Sequence, residues 1–183
     1  MKMIGGIVSF LSIFFVFFYA ISYQKLASPK DITPSKNASL SLGAINYIKI
    51  FKHQRTLQVY RDKHLVKSYK IALGFCPIGH KVQEGDGKTP QGIYTITFKN
   101  TKSRYHRSLK ISYPSKKDSD HAKKKGVSPG GDIMIHGLGK WFAHLGKKHT
   151  LHDWTLGCVA ITNEEIDELF NATKVGTTVE IVP

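Results

Sequence analysis

Short runs of alternating apolar residues, separated by polar turn-like stretches, dominate the sequence from Ile45 to Leu73. The apolar positions of these runs are Ile48, Ile50, Leu57, Val59, Leu65, Tyr69 and Ile71. Alternation with a period of two is typical of strands that bury one face and expose the other to water. We therefore expect this part of the chain to form a β-meander.

Four further segments carry strand signals and two carry helix signals. The strand candidates are 92–98, 109–113, 132–137 and 176–182. The helix candidates are 115–126, which is highly charged and ends in glycine, and 162–173, which opens with a capping box of Thr162 and Glu165. The sequence thus predicts a mainly β single domain with one or two peripheral helices. The Gly- and Pro-rich stretch 74–92 is long for a connection between strands, so we expect it beside a functional site.

An uncharged stretch of 21 residues, Met3–Tyr23, precedes this domain. About 20 apolar residues are enough to cross a bilayer as a helix, so we predict a membrane anchor or signal sequence over 1–23. Residues 24–44 are rich in Ser, Pro, Lys and Asn and are predicted to be a flexible tether. The net charge of +14 attracts polyanions. Export of the domain would make nucleic acid an unsuitable partner and an acidic extracytoplasmic polymer a suitable one.

Cys158 begins an apolar run after Gly157, and His136 ends the apolar stretch "DIMIH". A cysteine nucleophile needs a base and donors for the developing oxyanion, and these two residues, with the amides of Gly157 and Cys158, would supply them. Three alternatives remain open on these residues alone. Cys158 would be a small buried hydrophobe, half of a disulfide with Cys76, or a zinc ligand. The zinc ligands would come from His144, His149, His152 and Asp153.

Four blocks in order along the chain carry a family resemblance. They are "EGDGKTPQGIYTI" (84–96), "LKISYPSKKD" (109–118), "GGDIMIHGLG" (130–139) and "HDWTLGCVAITNEEIDEL" (152–169). Together they resemble the YkuD-type L,D-transpeptidase catalytic domain, in its short anchored or secreted Gram-negative branch. The resemblance implies an L,D-transpeptidase-like β-sandwich or β-rich catalytic domain over 45–183, located in the periplasm and tethered to the inner membrane or secreted after signal cleavage.

The resemblance also implies roles for individual residues. Cys158 would be the nucleophile and His136 its base, and the carbonyl of Gly137 would orient the imidazole. The family's common S/T-H-G-C motif has a second His where this chain has Leu156, and Arg or Asn where it has Ala160. The candidates for substrate binding are His80, Tyr113, Thr155 and His152, with Lys81, Lys88, Arg104 and Lys140 as candidates for carboxylate recognition.

The implied substrate is the peptidoglycan stem tetrapeptide, which would form a thioester with Cys158 without a metal or organic cofactor. An amine-bearing acceptor, diaminopimelate or a protein lysine, would then receive the acyl group. Two alternatives use or share this scaffold. One is an L,D-carboxypeptidase or endopeptidase that hydrolyses stem or protein-to-peptidoglycan links through the same Cys–His site. The other is a non-catalytic cell-wall-binding module.

Overall fold

The computed structural model describes residues 42–183. The predicted anchor and nearly all of the predicted tether lie outside these residues, so both stay predictions. No helix within 42–183 combines the length and apolar character needed to span a bilayer.

The predicted meander is present as three antiparallel strands. β1 is Tyr47–Phe51, β2 is Thr56–Arg61 and β3 is His64–Lys70. Ile48 and Ile50 are fully buried, as the alternation predicts, but Leu65 is 53% exposed. The pairing of β2 with β3 shifts register between Val59 and Tyr60, and β3 lies at the edge of the sheet. A register shift moves the following side chains off the buried face, so the apolar alternation does not predict the exposure of Leu65 correctly.

A single eight-stranded sheet contains all the strands, in the order β3-β2-β1-β8-β4-β5-β6-β7. The remaining strands are β4 Gly92–Ser103, β5 His106–Ile111, β6 Met134–His136, β7 Val159–Ala160 and β8 Thr178–Val182. β8 runs parallel to β1 and antiparallel to β4. The twelve-residue β4 pairs with β8 through its first residues and with β5 through its later ones, so it joins the two halves of the curled sheet.

The two predicted helices form, each with the predicted type of start. α1 is Lys116–Lys124, and α3 is Asn163–Ala172. Thr162 caps α3 by accepting from the Glu165 amide, and the Glu165 side chain accepts from the Thr162 amide in return. Ile166 and Leu169 of α3 are fully buried and join the core formed with the strands. The helix therefore covers the sheet next to the segment that follows β6.

A helical segment between β6 and β7 was not predicted. α2, Gly139–Phe142, leads into a 3-10 segment, Ala143–Leu151. The sequence there has glycines, lysines and histidines and no regular apolar spacing, which led us to expect a loop. The region from 74 to 91 contains one isolated bridge, between Gly74 and Thr155, and no strand or helix, so it is the irregular connection that was predicted.

Candidate active site

His136 and Cys158 lie on the same face of two neighbouring strands. β6 and β7 are parallel, and His136 is the register partner of Ala160. Cys158 stands two residues before Ala160, and side chains two residues apart in an extended chain share a face. Cys158 is half-buried and His136 is only 3% exposed. Although 22 positions apart in sequence, the two residues are thus diagonal neighbours on one side of the β6–β7 strand pair.

The His136 ring is fixed in one tautomer by its own neighbour. Its Nδ1 lies 2.6 Å from the carbonyl oxygen of Gly137. A carbonyl only accepts, so Nδ1 carries the proton and Nε2 keeps a free lone pair. Burial lowers the pKa of His136 to about 4, although the Gly137 hydrogen bond raises it. The imidazole is therefore neutral near pH 7, as a general base must be.

Gly137 itself has no space for a side chain. A Cβ there would lie 2.7 Å from Asn163 Oδ1 and 2.9 Å from the Tyr105 carbonyl oxygen. Asn163, the first residue of α3, accepts hydrogen bonds from the amides of Leu138 and Gly139. The segment that carries the orienting carbonyl is held from both sides by these contacts.

Aromatic rings surround the imidazole, and sequence reasoning assigned none of them a role. The Tyr105 ring is stacked on His136 with centroids 4.5 Å apart, and the Trp154 ring meets it edge-on at 6.0 Å. Phe142 packs 6.0 Å from Trp154 on the side of α2. The aromatic faces keep water from the ring and favour a cation there when the imidazole is protonated. The sequence signal for such a ring was the position of Trp154, which directly precedes Thr155 in the cysteine motif.

Cys158 is a protonated thiol in the resting structure. Its Sγ donates to the Asp132 carbonyl oxygen at 3.5 Å. Burial raises the pKa of the thiol, and this outweighs the opposing effects of the Met134 amide and the Lys81 charge. The pair at rest is therefore a neutral thiol beside a neutral imidazole, and formation of the thiolate requires proton transfer to His136.

The turn before Cys158 depends on Gly157 and Thr155. Gly157 has φ +134°, and a Cβ there would lie 2.7 Å from the Lys88 carbonyl oxygen. Its N–H donates to Thr155 Oγ1 at 3.1 Å, so this amide is not available as the oxyanion donor that the sequence suggested. The Cys158 N–H meets no acceptor in the part of the chain that the structure describes. Cys158 itself thus offers the free donor.

Thr155 holds this turn and does not face the cleft. Its side chain is buried, and its hydroxyl also donates to the Cys158 carbonyl oxygen at 2.7 Å. Both hydrogen-bonding functions of the hydroxyl are therefore used within the protein. The prediction that Thr155 contacts substrate is therefore corrected. Its side chain supports the turn that carries Cys158.

The irregular stretch 74–91 forms one wall of the site, as predicted. A Cβ on Gly74 would lie 2.1 Å from the Gly87 carbonyl oxygen and 3.0 Å from the Gly157 Cα, so three backbone segments meet here without side chains between them. Two buried lysines hold the stretch. Lys52 Nζ donates to the carbonyl oxygens of Gly79 and Thr89, and its burial lowers its pKa to about 8.

Lys81 is the second buried lysine, and it belongs to the interior of the wall. It is 3% exposed and pairs with Asp86 at 2.9 Å. The other Asp86 contacts are the amides of Val82, Gln83 and Lys88. These hydrogen bonds lower the pKa of Asp86. Since its charge is already paired, Lys81 is unsuited to binding a substrate carboxylate.

His80 and Tyr113 belong to a second cluster, around Asp118. His80 Nε2 lies 3.1 Å from Asp118, and its Nδ1 accepts from the Gln91 amide. Burial lowers the pKa of His80. The Tyr113 side chain is buried, and its hydroxyl donates to the Pro129 carbonyl oxygen. Their polar atoms are engaged in internal hydrogen bonds, so the structure gives both residues a supporting role in place of the predicted contact with substrate.

The histidines of residues 139–152 differ in how far they are buried. His152 is exposed at the end of the 3-10 segment, whereas His149 is 4% exposed. Within residues 42–183, the buried side-chain polar atoms without a hydrogen-bond partner are both ring nitrogens of His149 and Ser108 Oγ. Ser108 is the β5 register partner of His136, and a charge on His149 would lower the pKa of His136. Both residues thus lie close to the candidate base.

Within residues 42–183, the structure contains neither the disulfide nor the zinc site that the sequence left open. Cys76 and Cys158 are both free, and Cys76 is exposed. No three His, Cys, Asp or Glu side chains between residues 42 and 183 come together as a metal site would require. Asp153 instead pairs with Arg55 at 2.7 Å and accepts from the Leu73 amide, so it fixes the backbone that leads into the Trp154–Cys158 turn.

Comparison with known proteins gives a consistent family. Residues 45–181 match the L,D-transpeptidase catalytic domain described as YkuD. YafK of Escherichia coli K12, a provisionally named L,D-transpeptidase, is 34% identical over 153 residues, which cover 79% of this chain and 54% of YafK. The chain therefore spans about half the length of this curated relative.

Solved structures agree on the fold. The helical cell shape determining protein Pgp2 from Campylobacter jejuni superposes with a TM-score of 0.58 and 26% identity, over 76% of this chain and 48% of Pgp2. Bd1075 from Bdellovibrio bacteriovorus gives a TM-score of 0.53 at 22% identity, over 76% of this chain and 48% of Bd1075. The latter is a likeness of fold.

Proposed function

This chain belongs to the YkuD family of L,D-transpeptidase catalytic domains, and we propose that it acts on peptidoglycan stem tetrapeptides through a thioester on Cys158. The observation that supports the proposal is the position of Cys158, two residues before the register partner of His136 and on the same side of the β6–β7 strand pair. The Gly137 carbonyl leaves His136 Nε2 unprotonated, which is the state that a general base for a thiol needs.

The first half-reaction begins with transfer of the Cys158 proton to His136 Nε2. The sulfur attacks the carbonyl between the third and fourth residues of the stem, and the developing oxyanion accepts a hydrogen bond from the Cys158 N–H. The imidazolium then returns the proton to the leaving amine, the C–N bond breaks, and D-alanine departs. Because the resting pair is neutral, the cycle needs no preformed ion pair. The thiolate and the imidazolium form only when the sulfur attacks the substrate.

The second half-reaction resolves the thioester. An acceptor amine attacks its carbonyl, His136 takes the proton of the amine, and the thiolate leaves and is reprotonated. Transfer to diaminopimelate or to a protein lysine would produce a cross-link or an anchored protein. Water in place of the amine would produce a shortened stem, and the same Cys–His pair supports that outcome.

The setting proposed for this chemistry is the periplasm, with the domain tethered to the inner membrane by residues 1–23. The net charge of +14 suits an anionic polymer, since a cationic surface raises the local concentration of its substrate. The exposed cations of α1, which include Lys116, Lys117, Lys123 and Lys124, contribute to this field.

The experiment is mass spectrometry of purified muropeptides after incubation with the full-length protein. New cross-linked species identify a transferase, and stems shortened by one residue identify the hydrolase. Cys158→Ser and His136→Ala should each abolish turnover, while Cys76→Ser, the matched cysteine control, should retain it. Unchanged muropeptides with the wild-type protein, or full turnover by Cys158→Ser, would contradict the proposal. In the first case a cell-wall-binding module would be favoured.

A further inference from the structure

Arg104 is linked to the candidate base through an aromatic ring. It lies in the turn between β4 and β5, and its guanidinium carbon is 5.3 Å from the centre of the Tyr105 ring. That ring is stacked on His136 at 4.5 Å. The two distances together place the guanidinium within about 10 Å of the centre of the imidazole. Arg104 is exposed, and none of the ion pairs or side-chain hydrogen bonds within residues 42–183 involves its side chain.

The backbone around Arg104 is fixed relative to the catalytic strand. A Cβ on Gly139 would lie 2.5 Å from the Arg104 carbonyl oxygen, and Gly139 has φ +69°. The next carbonyl, of Tyr105, packs against Gly137 in the same way. The turn therefore rests directly on the segment that orients His136. Only the long side chain of Arg104 is free to adjust, and its stacking on Tyr105 restricts that freedom.

The other three cations considered for carboxylate recognition are placed differently. Lys81 is buried and paired with Asp86. Lys88 has its Nζ next to Gly79 within the wall. Lys140 is exposed on α2 without an aromatic contact to the site. Among the four, Arg104 alone combines an unpaired charge with a ring contact that leads to His136.

The chemistry of the leaving residue fits this position. Its nitrogen must come within about 3 Å of the base to receive the proton. Its carboxylate carbon is two covalent bonds further, roughly 2.5 Å, and a guanidinium binds a carboxylate through two parallel N–H donors at about 2.8 Å. With the carboxylate C–O bond and the guanidinium C–N bond, each about 1.3 Å, these lengths add up to about 11 Å, which covers a separation of at most about 10 Å.

We propose that Arg104 is a specificity-determining residue that binds the free carboxylate of the leaving D-residue. This rests on the function proposed above. A stem whose last carboxyl is already an amide, as in a cross-linked or amidated peptide, lacks the charge that Arg104 pairs with. The enzyme is therefore selective for stems with a free terminal carboxylate.

The test separates recognition from turnover by measuring binding to the inactive Cys158→Ser protein. Two probes are titrated calorimetrically, a stem tetrapeptide with a free terminal carboxylate and the same peptide as its terminal carboxamide. Arg104→Gln in this background should weaken binding of the acid by about ten- to a hundredfold, the usual effect of losing a charge-assisted hydrogen-bonded pair. Binding of the amide should not change.

Lys102→Gln is the matched control, because it removes the same charge from an exposed position in the same hairpin. It should leave both affinities unchanged, and Arg104→Lys should restore part of the preference for the acid. Equal loss for acid and amide, no loss for either, or the same loss in Lys102→Gln would overturn the proposal. Muropeptide turnover by the wild-type protein is a separate readout, so failure of the proposed reaction would be recognised independently.

Discussion

The hydroxyl of Thr155 donates a 2.7 Å hydrogen bond to the main-chain carbonyl oxygen of Cys158, three residues further along the chain. Thr155 Oγ1 in turn accepts a hydrogen bond from the Gly157 amide at 3.1 Å. One buried side chain thereby fixes the peptide group before Gly157 and the peptide group after Cys158. The direction of the free Cys158 N–H follows from this turn, so a residue that does not face the cleft determines where an oxyanion would be stabilised.

Thr155→Val should disable the site without changing its shape. Valine fills the same volume but leaves the Gly157 amide and the Cys158 carbonyl without their partner, and a buried unpaired polar group costs about 1–3 kcal/mol. We expect the free energy of unfolding to fall by that amount in urea denaturation, and muropeptide turnover to fall at least about tenfold. Thr155→Ser, which keeps the hydroxyl, should stay near wild type. A wild-type turnover in the valine variant would show that other contacts hold the turn.

Gly157→Ala should be far more damaging than an alanine at an open glycine. The new Cβ would stand 2.7 Å from the Lys88 carbonyl oxygen at φ +134°, which combines a steric conflict with a backbone conformation that costs non-glycine residues about 1–3 kcal/mol. We expect a lower midpoint of thermal unfolding and loss of turnover. The control is Gly131→Ala, where a Cβ meets nothing within 4 Å. Similar behaviour of the two variants would contradict the close approach of residue 88.

Stability should depend on pH through His136. Its pKa is about 4 in the folded protein and about 6.5 in an unfolded chain, so between these values the unfolded state binds the extra proton. The stabilisation is complete above about pH 6.5 and is lost as the pH falls towards 4, by roughly 3 kcal/mol. Unfolding free energies of wild type and His136→Gln from pH 4 to 7 should converge at the acidic end. A constant difference across this range would show that the pKa is not depressed.

Replacing His149 with leucine should stabilise the protein. Neither ring nitrogen of this buried residue has a hydrogen-bond partner in the region described, and burial lowers its pKa, so it is neutral. Removing an unsatisfied buried polar group is worth about 1 kcal/mol or more. The midpoint of thermal unfolding should rise for His149→Leu and stay the same for His144→Leu, an exposed control in the same segment. A lower midpoint for His149→Leu would mean that the imidazole is hydrogen-bonded in solution.

Much of the fold follows from local signals that were readable in the chain. The alternation around Ile48 and Ile50 predicted β1 correctly, because a strand with one wet face imposes that period. The capping box at Thr162 likewise located the start of α3. Leu65 and the 139–151 segment were read wrongly. A β-bulge and a short 3-10 path are decided by contacts with distant elements, and neither leaves a periodic trace in the sequence.

The candidate site divides in the same manner. The sequence by itself determined the family, and with it the choice of Cys158, His136 and Gly137, because the glycine-flanked motif and the ordered blocks are written in consecutive residues. Only the tertiary structure decided that Thr155 supports the turn before Cys158 and that Lys81 pairs with Asp86. It also decided that the Tyr105 ring stacks on His136 and that Arg104 lies against that ring. Burial, pairing of charges and ring stacking are properties of side chains that meet from different strands, and they exist only once the sheet has brought those strands together.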